Sequence, residues 1–169
     1  MNQLKEENAR DSLTGLLNRK GFHDGLGSLF TCQEQLKHAA MIMLDADGLK
    51  LVNDIYGHHI GDDYLKRIAS ALDERTRGRK LSARLGGDEF ILFLYGYSSK
   101  IDLEQDIEKL RERRGERFLG ESENVPVTLE FSMGYAFYPD DDRDYHVLMH
   151  LADQNMYEEK RKRKKWRRA

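Results

Sequence analysis

The sequence is poor in cysteine and has no long hydrophobic run. Cys32 is the only cysteine in 169 residues, so no disulfide can form within the chain, which fits a reducing compartment. The longest uninterrupted apolar runs, residues 39–44 and 90–95, have six residues each and are too short to span a bilayer. No signal peptide is recognisable at the start. We therefore expect a cytoplasmic domain, with any membrane tether lying outside this sequence.

Charge is unevenly distributed along the chain. Residues 160–168 carry eight basic side chains and no acidic one, whereas the rest has 20 basic and 30 acidic residues and a net charge near −10. Such an acidic body is a poor match for duplex nucleic acid, so we expect no nucleic-acid partner. The basic segment is either a solvated helix end, where cations offset the helix dipole, or an element that binds phosphate.

The pattern of apolar residues predicts the order helix, strand, helix, hairpin, helix, strand, helix. The first helix is expected to begin near Thr14, and residues 39–44 predict a strand buried on both faces. Alternating apolar residues between 127 and 137 predict one strand with a single side in the core. Without its first helix this is a βαββαβ order. It predicts an α+β fold whose mostly antiparallel central sheet is flanked by helices.

Two acidic residues follow the predicted buried strand. Asp45 and Asp47 point to the same side, because side chains alternate along an extended chain. The two carboxylates repel each other unless a cation lies between them, and their oxygens suit Mg²⁺ or Mn²⁺. Spacing alone leaves a second interpretation open, which is a strand-end turn with a capping aspartate.

A second acidic pair, Asp88 and Glu89, follows two glycines. Gly86 and Gly87 predict a tight hairpin turn, since both tolerate positive φ. A polar hairpin tip in solvent would explain the acids. If this strand lies beside the one that ends at Asp45, however, the acidic segments converge. A pair of metal ions could then bridge them and serve an in-line displacement on a phosphate.

A loop punctuated by glycines runs from Asn53 to Asp62. We expect Gly61 and Asp62 to open the next helix, which makes the Asp62 carboxylate an N-cap. Alternatively, this carboxylate accepts hydrogen bonds from guanine N–H groups, with the Asn53 amide pairing beside it. Adjacent His58 and His59 point apart on most backbones, which argues against a transition-metal site.

Taken together, these segments resemble the GGDEF family, and the match runs from Asp11 to about Lys164. Any single short match would be a weak signal, but six occur in the family's order and spacing. They are residues 11–19 (DSLTGLLNR), 45–50 (DADGLK), 53–62 (NDIYGHHIGD), 84–90 (RLGGDEF), 132–134 (SMG) and 152–160 (ADQNMYEEK). We divide the chain accordingly into the end of a linker helix (1–10), a GGDEF catalytic domain (11–164) and a basic C-terminal tail (165–169).

The resemblance implies a diguanylate cyclase with a fold of the nucleotide-cyclase or polymerase-palm type. Such an enzyme condenses two GTP molecules into cyclic di-GMP and two pyrophosphates, and each 3′-hydroxyl attacks the α-phosphate of the other GTP. One domain holds one GTP, so a second copy of the domain has to face the first. The implied cofactors are two Mg²⁺ or Mn²⁺ ions per active site, and the implied partners include an upstream sensor or receiver module.

The resemblance also implies roles for individual residues. Asp45 and Asp88 ligate the metals, assisted by the backbone carbonyl of Ala46. Asp88 and Glu89 are the catalytic acids, and Glu89 is either a neighbour of the metal site or the group that deprotonates the 3′-hydroxyl. The substrate contacts are Asn53 and Asp62 on guanine, Lys50, Lys160 and Lys164 on the phosphates, and Gly86 and Gly87 of the signature.

Two segments depart from the family pattern. Many members carry an Arg-x-x-Asp motif for product inhibition, but residues 77–80 read RGRK, so Arg77 is kept and Lys80 replaces the carboxylate. We therefore expect weak or no product inhibition at this degenerate site. The Gly-Arg pair that is usual near the end of the family is Arg163-Lys164 in this chain.

Two other functions stay open. A non-catalytic GTP-binding module of a larger regulator would have no need of Asp45, Asp88 and Glu89 together, yet all three are present. A cyclase that accepts ATP as well as GTP is disfavoured by Asp62. Its carboxylate pairs with the N–H donors of guanine, whereas adenine offers a ring-nitrogen acceptor.

Overall fold

The computed structural model describes residues 8–120 and 124–168, the last three by their backbone alone. The α-helices and β-strands of this described part are α1 (Arg19–Phe30), β1 (His38–Asp45), α2 (Leu49–Tyr56), α3 (His58–Leu72), β2 (Arg79–Gly86), β3 (Glu89–Tyr97), α4 (Lys100–Glu112), β4 (Arg117–Leu119), β5 (Pro126–Thr128), β6 (Ser132–Tyr138) and α5 (Tyr145–Arg168), with a short 3-10 helix at Gln33–Leu36. No helix within these residues is both long and apolar enough to cross a membrane.

The central sheet has the strand order β2-β3-β1-β6, and every pairing in it is antiparallel. β4 and β5 form a separate two-stranded sheet. Helices pack on both faces of the central sheet. The predicted α+β fold with a mostly antiparallel sheet is confirmed.

The central strand β1 serves two hydrophobic cores at once. Ala40, Ile42 and Leu44 face a core that includes α3 and α4, whereas Met41 and Met43 face a core that includes α1 and α5. A strand covered on both sides has no polar face, which is why residues 39–44 are continuously apolar. The predicted burial on both faces is therefore confirmed.

Helix α5 contacts β6 most closely at Gly134. A Cβ built on this residue would lie 2.0 Å from the backbone nitrogen of Met156 and 2.5 Å from the carbonyl oxygen of Ala152. Glycine is thus the residue that lets the helix backbone reach the strand. This contact fixes the distance of α5 from the sheet one turn before Lys160.

Both edges of the central sheet are partly covered. On β2, the backbone of Leu17 bonds to Ser82 and Arg84. On β6, the Met133 N–H donates to the carboxylate of Glu159, the Tyr135 carbonyl accepts from the Asn155 amide, and the Phe137 N–H donates to the Asp141 carboxylate. Several of the backbone groups at these edges that could pair with another strand are therefore already hydrogen-bonded.

The start of the chain differs from the prediction. The first helix begins at Arg19 rather than near Thr14, because Asn18 caps it by accepting from the Gly21 N–H at 2.9 Å. Thr14 lies in the preceding turn. Residues 8–10 form a turn and a β-bridge instead of helix, and the rest of the predicted linker helix lies outside the described residues.

Two further boundaries were predicted wrongly. Residues 127–137 are not one strand, since β5 ends at Thr128, β6 begins at Ser132, and β6 is buried on both faces. Helix α3 begins at His58, after Gly57 with φ +89°, so Asp62 lies inside the helix and is not its N-cap. The short helix α2 before Gly57 was not predicted.

Candidate active site

Strand pairing brings the two acidic segments together at one end of the sheet. Asp45 is the last residue of β1 and lies opposite Glu89, the first residue of β3. The Ala46 N–H donates to the backbone carbonyl of Asp88 at 2.8 Å. The two segments therefore converge, as expected for neighbouring strands. We call Asp45, Asp47 and Asp88 the acid cluster.

The hairpin tip is built from a two-residue loop. Gly86 pairs with Glu89, so the loop is Gly87-Asp88, one residue later than the predicted Gly86-Gly87 turn. Gly87 has φ +49°, which favours glycine. A Cβ on either glycine would meet no atom within 4 Å, so the space beside them is open. Asp88 consequently lies in the loop itself, directly beside the end of β1.

Arg84 and Asp11 brace this tip. The Arg84 guanidinium donates to the Gly87 carbonyl at 2.8 and 3.0 Å and forms a salt bridge with Asp11 at 3.3 Å. Partial burial opposes ionisation of Asp11, but hydrogen bonds from Thr14 and the charge of Arg84 hold its pKa below the usual value. Both residues lie in family segments, yet sequence reasoning gave them no role. The two residues are more than 70 positions apart, so no local sequence pattern predicts their contact.

Asp45 is almost fully buried, and its two carboxylate oxygens have different surroundings. Oδ2 accepts from the Lys160 ammonium at 2.8 Å, whereas Oδ1 has no hydrogen-bond partner within the described residues. Burial raises the pKa of Asp45, the Asp88 carboxyl raises it further, and Lys160 opposes both effects. Lys160 therefore does not fully offset the unfavourable burial of these negative charges, and an additional cation would stabilise them.

The side chain of Asp47 is also largely buried, and its two carboxylate oxygens likewise have different surroundings. Its Oδ2 accepts from the Ser132 hydroxyl, its Oδ1 has no hydrogen-bond partner within the described residues, and Lys160 Nζ lies 3.7 Å from Oδ1. The loop that carries Asp47 also includes Gly48, which packs closely against Tyr64. A Cβ built on Gly48 would lie 3.1 Å from the Tyr64 hydroxyl. Ser132 and Tyr64 are supports that sequence reasoning missed, because only the folded chain places them here.

The acid cluster fits a divalent metal ion. It offers two buried oxygens without partners, and carboxylate and carbonyl oxygens are the ligands that Mg²⁺ and Mn²⁺ prefer. Within the described residues, no three His, Cys, Asp or Glu side chains are arranged to hold a metal by themselves. Mg²⁺ sites commonly combine one or two carboxylates with substrate phosphates and water. The arrangement is therefore an open site rather than a closed cage.

The predicted phosphate cations occupy different positions. Lys160 lies against the acid cluster, whereas Lys50 on α2 and Lys164 on α5 are exposed. Arg163, which replaces the family's usual glycine, forms a salt bridge with Glu130. Of these cations, Lys160 is thus the one that the fold brings directly to the carboxylates.

The predicted guanine residues lie on neighbouring helices. Asn53 of α2 packs against Gly61 of α3, next to Asp62, and a Cβ on Gly61 would lie only 1.7 Å from Asn53 Oδ1. This oxygen is buried and has no partner within the described part of the chain. A buried amide oxygen without a donor is rare in folded proteins, which marks Asn53 as a candidate binding residue.

The degenerate product-inhibition site lies at the far end of β2. Arg77 bonds to Asp102 and Gln105 of α4, both at 2.6 Å. Lys80 Nζ donates to the backbone carbonyls of Leu72 and Glu74, and burial lowers the pKa of Lys80. Gly86 lies six positions after Lys80 along the extended strand, a distance of roughly 20 Å. These cations therefore do not take part in the acid cluster.

An open acidic site at a sheet end, with a lysine against it, suits a domain that acts on phosphates through divalent metals. A family model described as "Diguanylate cyclase, GGDEF domain" matches residues 8–165. The chain belongs to the GGDEF domain family.

Individual relatives agree. The diguanylate cyclase DgcP of Escherichia coli is 35% identical over 96% of this chain and 50% of that protein, so the chain spans half of its length. A sensory box/GGDEF family protein from Caulobacter crescentus matches with a TM-score of 0.79 and 30% identity, covering 91% of this chain and 99% of that one. The coiled coil and GGDEF domain of DgcB from the same species, in complex with c-di-GMP, matches with a TM-score of 0.79 and 27% identity, covering 95% and 84%.

Proposed function

We propose that this domain is a diguanylate cyclase that condenses two GTP molecules into cyclic di-GMP and two pyrophosphates. The observation that carries the proposal is the convergence of Asp45 and Asp88 at one sheet end, with buried oxygens left unsatisfied and Lys160 beside them. Membership of a family described by this activity supports the same conclusion.

Asp45, Asp88 and the Ala46 carbonyl would hold Mg²⁺ or Mn²⁺, two ions per site. The bound metal supplies positive charge to the phosphate oxygens that become more negative in the displacement. The remaining steps belong to the protein's own residues. The backbone at Gly86 and Gly87 leaves room for the triphosphate, because neither residue has a side chain. Lys50, Lys160 and Lys164 would bind the phosphates, and Lys160 is the nearest of them to the acid cluster.

Guanine would be bound by Asn53 and Asp62. The carboxylate of Asp62 accepts from guanine N–H groups, and the Asn53 amide, whose oxygen is unsatisfied, pairs beside it. The 3′-oxygen of one GTP then forms a bond to the α-phosphorus of the other, while the bond to the β-phosphate breaks and pyrophosphate leaves. Glu89, which starts β3 opposite Asp45, is placed to take the 3′-proton or to support the metal site.

Because each domain holds one GTP, two domains must face each other for the reaction. We expect specific activity to fall about tenfold for each tenfold dilution while most of the protein is monomeric. The measurement is incubation with GTP and Mg²⁺ over a dilution series, followed by nucleotide chromatography. A fusion to a dimeric coiled coil is the control and should give a constant specific activity. GTP binding without turnover in that forced dimer would instead support a non-catalytic GTP-binding module.

Product inhibition through the Arg77 window should be weak or absent. Arg77 is engaged by Asp102 and Gln105, and Lys80 offers no carboxylate to the guanine edge of the product. Arg77→Ala should therefore change the inhibition constant of cyclic di-GMP less than about twofold, since a lost charged contact usually costs more. Tight product binding that disappears in this variant would contradict the proposal. The constant is measured from initial rates with added product.

The same proposal implies partners and a cytoplasmic location for the domain. A second copy of the domain and an upstream sensor or receiver module would control the reaction, and the relatives' sensory box and coiled coil are of this kind. The single exposed cysteine, Cys32, fits a reducing cytoplasm.

A further inference from the structure

One basic side chain of α5 enters the acid cluster. The Lys160 ammonium lies 2.8 Å from Asp45 Oδ2 and 3.7 Å from Asp47 Oδ1. The two carboxylates are nine-tenths buried, with side-chain exposures of 10% and 9%, whereas Lys160 is 26% exposed. The lysine therefore reaches in from the rim and neutralises the carboxylates without being enclosed by them.

The neutralisation is incomplete. One ammonium serves Asp45, Asp47 and the adjacent Asp88, and the Oδ1 atoms of Asp45 and Asp47 remain without hydrogen-bond partners in the described part of the chain. Buried carboxylate oxygens without partners are unfavourable. A divalent ion would satisfy them better than a single charge, but it must compete with the ammonium for the same oxygens.

We propose that Lys160 is a place-holding cation, which occupies the acid cluster in the metal-free domain and moves to the phosphates when a metal ion and a nucleotide bind together. Asp47 is then the second anchor of this lysine and is itself held by Ser132. The inference rests on the proposed function for the nature of the nucleotide. Lysine suits this exchange, because its ammonium is a point charge on a flexible stem.

The consequence is that metal and nucleotide promote each other's binding. Without nucleotide, the metal must displace the ammonium from the carboxylates of Asp45 and Asp47, and the two cations repel at short distance. With nucleotide, the displaced ammonium binds phosphate, and phosphate oxygens complete the open metal site. Such coupling is reciprocal by thermodynamic necessity. Lys160 should therefore weaken binding of the metal alone and strengthen binding of the metal–nucleotide complex.

Removal of the Lys160 charge tests both effects. Mn²⁺ is titrated into the nucleotide-free protein and followed by electron paramagnetic resonance of the free ion. The Mn²⁺ complex of 3′-deoxy-GTP, which lacks the attacking hydroxyl, is titrated separately by calorimetry. In Lys160→Met we expect the affinity for Mn²⁺ alone to rise about tenfold and that for the complex to fall about tenfold.

Lys160→Gln, which keeps a hydrogen-bond donor without the charge, should behave in the same way and guards against a folding defect in the methionine variant. Lys162→Met is the matched control. It removes one charge from an exposed position of the same helix and should change both affinities less than about twofold.

The outcomes separate this inference from the cyclase proposal. Mn²⁺ affinity that is the same in wild type, Lys160→Met and Lys160→Gln would overturn the place-holding role, even if the wild type makes cyclic di-GMP. Two affinities that move in the same direction would also overturn it. If they move in opposite directions but the wild type makes no cyclic di-GMP as a forced dimer, the place-holding role holds and the proposed function fails.

Discussion

Asp88→Ala should lower the rate of cyclic di-GMP formation by at least about 10³-fold, the scale expected when a preorganised charge at a reacting phosphate is lost. The carboxyl of Asp88 lies beside Asp45 in the acid cluster, and no other acidic residue occupies the Gly87-Asp88 loop. Asp88→Asn should cause a similar loss, because it keeps the shape of the side chain and removes its charge. The rate is measured in a forced dimer with saturating GTP and Mg²⁺, so that dimerisation does not limit it.

Asp153→Ala is the control for this loss, since it removes the same charge from an exposed position on α5. It should keep full activity. Thermal melting of all variants shows whether they fold. Full turnover in a folded Asp88→Ala protein would mean that the metal assignment is wrong and that the acids only form a polar hairpin tip.

Gly134→Ala should destabilise the protein by about 3 kcal/mol, the upper end of the usual cost of overpacking a well-packed core. The added methyl would meet the backbone of Met156, Ala152 and Asn155, none of which can rotate away as a side chain could. For a domain of this size, the melting temperature should fall by roughly 6–12 °C. Activity should fall as well, because a displaced α5 moves Lys160 away from Asp45.

Gly27→Ala provides the matched control for that substitution. Gly27 lies within α1, and a Cβ built there meets nothing within 4 Å. Alanine is the better helix former by about 1 kcal/mol, so this variant should be as stable as the wild type or slightly more stable. A Gly134→Ala protein that melts within a degree of the wild type would contradict the close contact between α5 and β6.

The sequence predicted the sheet better than the helix boundaries. The continuous apolar run of 39–44 predicts a central strand, because only burial on both faces removes all polar side chains. The convergence of Asp45 with Asp88 followed from placing two strands side by side. In contrast, Leu129 and Phe131 continue the apolar alternation although they lie between β5 and β6. Both are buried in the core, and alternation reports burial without showing that the backbone is paired.

The supports of the site could not be predicted. Asp11 with Arg84, Asp47 with Ser132 and Gly48 with Tyr64 are all far apart in sequence. Each of these residue types is common in turns, strands or helices, and no periodic pattern in the nearby sequence indicates that it supports a site. The start of α3 was missed because Gly57, rather than Gly61, is the glycine whose positive φ separates two helices. A polar loop with two glycines gives no means of choosing between them.

The partly covered edges of the central sheet bear on how such a domain can meet its own copies. The proposed reaction needs two domains and would be favoured by crowding, but crowding also promotes the joining of exposed strands into fibres. Here the backbone of Leu17 is hydrogen-bonded to β2, and side chains of α5 and Asp141 are hydrogen-bonded to backbone groups of β6. If two copies meet as proposed, fewer strand groups at these edges are therefore open to polymerisation.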